Sequence, residues 1–75
     1  MADTTFEWRV YVFDTATDQE VQDAKQSALL TWAALAPDYG YTPAGDPTAT
    51  LETPGTGPTG MRRAWLVTGP VTTNA

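Results

Sequence analysis

Carboxylates are the side chains in this sequence with the most chemical potential. Asp14 with Asp18, or Asp38 with Asp46, could share a proton or hold a hard cation through oxygen ligands if the fold brought either pair together. Yet Asp14, Asp38 and Asp46 each sit where turn chemistry already favours an aspartate, so a structural role is expected of them. Arg62 and Arg63 could bind an anion or a partner's carboxylate. Adjacent strand residues face opposite ways, so the two are not expected to aim at one ligand from a sheet. Each is expected instead to be a surface charge facing Glu7 or Glu52 across the sheet. The stretch Pro54-Gly55-Thr56-Gly57-Pro58-Thr59-Gly60 has the glycines of a phosphate-cradling loop. That pattern, however, needs a Lys-Ser/Thr pair opening a helix, and here Met61-Arg62-Arg63 and an apolar run follow.

The chain has no histidine and no cysteine. Thiolate nucleophiles, Ser-His-Asp triads, imidazole bases and the commonest zinc sites are therefore excluded together. Its one serine, Ser27, falls within a helical stretch with no basic partner at triad spacing. Acid–base chemistry at neutral pH would rest on carboxylates alone. The expectation is a non-enzymatic chain with no metal and no cofactor.

The formal net charge is −5, and the basic residues are Arg9, Lys25, Arg62 and Arg63. Phosphate backbones and anionic membranes both attract clustered Lys and Arg, so neither nucleic acid nor a membrane surface is an expected partner. No apolar run approaches the length of a bilayer span. Met1-Ala2-Asp3-Thr4-Thr5 lacks the basic and apolar regions of a signal peptide. A cytoplasmic location, in the producing or host cell, is the expectation. Abundant Thr, Ala, Pro and Gly with a lone lysine is a balance common where coding DNA is GC-rich, as in some bacteria and viruses.

The elements that must position these groups can be read from periodicity. Thr5–Phe13 is built mostly of β-branched and aromatic residues, the composition of a strand. Phe6, Trp8, Val10 and Val12 share one apolar face, while Glu7, Arg9, Tyr11 and Phe13 share the other. Thr17 and Glu20 have capping-box spacing at the start of a helix over 18–36. Asp18, Glu20 and Asp23 then favour the positive end of its dipole. Val21, Ala24, Ala28, Trp32 and Leu35 form the helix's apolar stripe, flanked by Leu29 and Ala36. Gln19, Asp23, Gln26, Leu30 and Ala34 lie opposite. Pro37 stops the helix, and 37–47, with three prolines and two glycines, reads as a loop carrying Tyr39 and Tyr41. A short strand over 48–53 follows, with Ala49 and Leu51 inward. Residues 54–60 form a hairpin tip. The strand over 61–68 is apolar on both faces around Ala64-Trp65-Leu66-Val67, which marks a central position. Gly69-Pro70 ends it, and Val71 onward is a frayed tail.

The 75 residues are expected to form one small α+β domain. Its predicted fold is β-α-β-β, with one helix packed on a three-stranded mixed sheet in the spatial order 1-3-2 and a right-handed crossover. A chain of this size hides only roughly 60% of its unfolded surface. One helix cannot cover both faces of such a sheet, and an aromatic patch should stay open: Tyr11 and Phe13 with either Trp65 and Val67 or Ala64 and Leu66. The first strand also lies at an edge, and free edges pair with other chains. The function expected is thus a protein–protein interaction module, of the kind a small viral or bacterial accessory factor provides when it binds or inhibits a host protein or stabilises a larger assembly. The partner is a protein or a second copy, with a homo-oligomer, a dimer first, in view. The candidate contact residues are Tyr11, Phe13, Leu30, Tyr39, Tyr41, Trp65, Arg62 and Arg63. The alternative is an oligomeric small-ligand-binding module using Trp8, Trp65, Tyr39 and Tyr41 as ring platforms. The element order recurs in folds of unrelated function, and no residue motif ties the chain to one of them.

Overall fold

A computed structural model describes residues 2–53 and 59–74. The chain runs β1 (Thr4–Val12), α1 (Asp18–Leu35), a 3-10 turn (Ala36–Tyr39), β2 (Tyr41–Pro43), β3 (Thr48–Glu52) and β4 (Arg63–Thr73). This is an α+β arrangement with one helix packed on one sheet, as the periodicity predicts. β4 is central. β1 lies along one side of it, and β2 and β3 share the other side. The outer strands run alike and the middle strand opposes them, so each ladder is antiparallel.

Helix α1 begins where the sequence says it should. The Glu20 N–H donates to Thr17 Oγ1 and the Thr17 N–H donates to Glu20 Oε1, closing the capping box. The carboxylate's own hydrogen bonding to Thr17, first to its backbone N–H and then to its side chain, favours the charged form and lowers the Glu20 pKa from its ordinary value. Val21, Ala28, Trp32 and Ala36 are buried against the sheet; Gln19, Asp23, Gln26, Leu30 and Ala34 face solvent. The 3-10 turn ends at Gly40, whose left-handed φ of 84° few other residues adopt without strain. Its N–H reaches back to the carbonyls of Ala36 and Pro37, and the chain reverses into β2.

The core lies between α1 and the helix-facing side of the sheet. Phe6 and Val12 of β1 meet Trp65, Val67 and Val71 of β4 under Val21, Ala28 and Trp32. Two indoles tie the layers. Trp32 Nε1 donates to the Phe6 carbonyl at 2.7 Å, and Trp65 Nε1 to the Val21 carbonyl at 2.8 Å. A buried indole N–H needs such a partner. Lys25 places its Nζ over the Trp65 ring, 5.5 Å from its centre.

Three expectations require correction. First, β4 does not start at Met61 or end at Thr68. The Arg62 N–H is taken by Asp14 Oδ1, which holds 61–62 out of the ladder. At the other end the strand runs through Gly69-Pro70 to Thr73. Pro70 pairs with Thr5, yet its carbonyl accepts from Ala44 on the opposite side. A strand residue's N–H and C=O point the same way, so the donor that proline lacks would have faced Ala44, not β1. There the edge is already broken: the register along β4 advances by two residues between β2 and β3. The proline thus removes no hydrogen bond from the β1 ladder.

Second, the final segment is not frayed. The Thr73 N–H and Oγ1 donate to Asp3 Oδ1, the Asn74 N–H donates to the Gly40 carbonyl, and Val71 is fully buried. Third, the 37–47 stretch is not a plain loop, because it contains the 3-10 turn and β2. The hairpin tip expected over 54–60 lies outside the described residues except for Thr59 and Gly60, which form a turn.

Candidate interaction surface

The sheet face away from α1 collects the odd residues of β1 and the even residues of β4. Register places Glu7 beside Thr68, Arg9 beside Leu66 and Tyr11 beside Ala64; Thr48, Thr50 and Glu52 lie on the far side of the same three residues. Of the two expected pairs, Ala64 with Leu66 therefore takes this face, and Trp65 with Val67 lies under the helix. The result is not an aromatic patch. Arg9 Nε and Nη2 donate to Glu52 Oε1 at 3.3 and 3.0 Å, so a guanidinium–carboxylate bridge crosses over β4. The bond to Glu52 raises the pKa of the Arg9 guanidinium, which is charged throughout the ordinary pH range. Beneath that bridge and Tyr11, Ala64 is fully buried. Leu66 is half-buried among threonines.

The candidate contact residues divide into separate groups. Trp65 is 6% exposed and belongs to the core, so it is no platform for a partner. Tyr41 is half-buried against Phe6, with ring centres 5.4 Å apart. Tyr39 is 54% exposed and rests on Phe6 and Trp8 at 5.5 and 5.8 Å. These rings gather at the start of β1 on the helix side.

At the far end of β1, Phe13 is 62% exposed. Arg62 and Arg63 converge on the turn just after it. Arg62 approaches Asp14 through its backbone N–H and, at 3.9 Å, its side chain; Arg63 Nη2 donates to the carbonyls of Phe13 and Asp14. The opposite-facing rule does not keep them apart because Arg62 is outside the strand. Neither meets Glu7 or Glu52, and the residue that meets Glu52 is Arg9. Leu30, 64% exposed, stands by itself on the back of α1.

The candidate contact residues leave out the backbone of β1, although the strand order already places that strand at an edge open to pairing. Pro70 points away from β1, so Gly69 and Val71 point towards it, and their partners Phe6 and Thr4 point back. The alternate residues, Thr5, Glu7, Arg9 and Tyr11, therefore turn their N–H and C=O groups outward. Among the described residues no strand pairs with that side. The other edge is short, broken at 44–47 and bracketed by Pro43 and Pro47, which are features that blunt pairing. β1 has nine residues and none of these features. The signal was present in the sequence as an uninterrupted run without Gly or Pro, but side-chain exposure alone does not reveal it.

Among the described residues no three acidic, thiol or imidazole side chains come together to hold a metal, and no helix is long and apolar enough to cross a membrane. Asp14 is engaged by Arg62, Asp18 lies in the first turn of α1, Asp38 in the 3-10 turn and Asp46 at the break between β2 and β3. A scan against protein-family models finds no match, and neither does a search of curated proteins or of solved structures.

Proposed function

We propose that this chain is a protein–protein interaction module that works by adding a strand of its partner to the outer side of β1. The observation that carries the reading is the contrast between the two sheet edges: one interrupted and proline-bracketed, the other long, regular and open. Strand addition takes its affinity from main-chain hydrogen bonds and its selectivity from alternate side chains. Here Glu7 and Arg9 on one face, and Trp8 with Tyr39 on the other, would supply that selectivity. Phe13, at the exit of the strand, extends the contact with exposed apolar area.

Glu7→Pro tests the reading. The Glu7 N–H faces outward, so proline there spares the β1–β4 ladder while blocking a new strand. The variant should keep the far-ultraviolet spectrum of the parent and lose any protein that the parent retains from lysate of its producing or host cell. Partners retained equally by both proteins, or none retained by the parent together with a single-chain mass, would reject edge pairing.

A further inference from the structure

We infer that the strand β1 accepts is β1 of a second copy, in an antiparallel two-fold pairing centred on Trp8. This inference rests on the edge-pairing function and names its partner. It comes from asking which self-pairing the outward residues permit. Along the outer side of β1, Thr5, Glu7, Arg9 and Tyr11 turn their main-chain groups outward, and among the described residues no strand pairs with them, so in a self-pairing they must meet one another across a two-fold axis.

Centring the axis on Glu7 would set Glu7 against the partner's Glu7. Centring it on Arg9 would set arginine against arginine. Both juxtapose like charges directly across a ladder, which is destabilising. Centring it on Trp8 sets Glu7 against the partner's Arg9, Arg9 against the partner's Glu7, and Thr5 and Tyr11 against each other. All four outward residues then find a hydrogen-bonded partner, and both charge pairs are of opposite sign.

The side chains suit the same register. Glu7 is exposed and makes no ion pair or hydrogen bond within its own chain among the described residues. Arg9 has Glu52 on the β4 side, and its guanidinium keeps donors to spare for a carboxylate on the other. On the helix side the axis would bring the two Trp8 side chains together at a non-hydrogen-bonded pair, where cross-strand side chains approach most closely. Trp8 is only partly buried, whereas Trp32 and Trp65 are buried in the core. Phe6 would face the partner's Val10. An axis normal to the sheet puts both α1 helices on the same face, and β1 ceases to be an edge.

Charge reversal tests the register. The parent should sediment as a dimer, at twice the 8.1 kDa of one chain. Glu7→Arg and Arg9→Glu each create like-charge pairs on both sides of the axis. Each should weaken self-association by about tenfold or more, given two reversed cross-strand pairs. Mixed together, the two variants restore opposite charges at both pairs and should form a heterodimer with parent-like affinity. That rescue also proves both variants folded. Glu52→Gln breaks the same intrachain bridge as Arg9→Glu and should leave the dimer intact.

A parent that stays at single-chain mass near millimolar concentration overturns the self-pairing. Edge-dependent capture of a different protein, lost in Glu7→Pro, would then still sustain the broader reading. A dimer indifferent to the reversals overturns the register.

Discussion

Gly69 shows how much one missing side chain organises. A Cβ built at Gly69 would lie 2.7 Å from Cζ2 of Trp32 and 3.0 Å from the Pro47 backbone. The Trp32 ring therefore lies directly on the central strand, and its Nε1 reaches the Phe6 carbonyl because nothing lifts it away. Gly69→Ala is expected to destabilise the fold by about 1–3 kcal/mol, the usual cost of overpacking a closed core. Thermal melting checks the loss, and the Trp32 indole N–H resonance should shift as its hydrogen bond lengthens. A melt unchanged from the parent would mean the ring is free to move aside. The sequence announces a glycine and a proline here and invites the reading of a strand end. What it does not announce is that the glycine seats a ring from α1, or that the proline's absent donor faces a break in the opposite edge. Both facts depend on partners more than twenty residues away.

Elements with local signals were legible, and those made by long-range pairing were not. The α1 boundaries follow from Thr17, Glu20 and Pro37, all read within a few residues of the helix ends. The face of β1 follows from strict alternation. β2 was hidden because Tyr41–Pro43 has no strand pattern of its own and exists only because β4 continues past Pro70 to receive it. The helix start gives a test with a defined sign. Hydrogen bonds from Thr17 lower the Glu20 pKa in the folded chain. The ionised cap therefore adds stability at pH above the ordinary glutamate range, and that contribution is lost as pH falls through the lowered folded value. Helix circular dichroism should decline with acid over that window. Glu20→Gln keeps an acceptor for the Thr17 N–H but does not titrate, so its acid decline should be shallower. Thr17→Ala removes the cap at any pH and should cost about 1 kcal/mol. Equal acid profiles for the parent and Glu20→Gln would show that another carboxylate governs the decline.

At the scale of the whole molecule, β4 is the member on which the rest depends, since among the described residues β1, β2 and β3 each pair with it and with no other strand. A fold with one hub should unfold in a single step. Its last residues are then structural rather than a tail. Val71 is fully buried, the Thr73 N–H and Oγ1 hold Asp3, and the Asn74 N–H holds the Gly40 carbonyl, so this short run ties the start of β1 to the 3-10 turn. Deleting 70–75 removes the β2 ladder, the Asp3 clasp and a core valine together. Burial of the valine alone is worth about 1.5–3 kcal/mol, and a domain this small holds only about 3–5 kcal/mol in total. The truncated chain is therefore expected to be unfolded at 25 °C, with a coil-like far-ultraviolet spectrum and no cooperative melt. Valine replacement offers the graded version: Val71→Ala should lower the melting temperature while keeping one transition. Had the tail been a loose end, truncation would leave the melting curve where it was, and that outcome would remove β4 from its place as the hub.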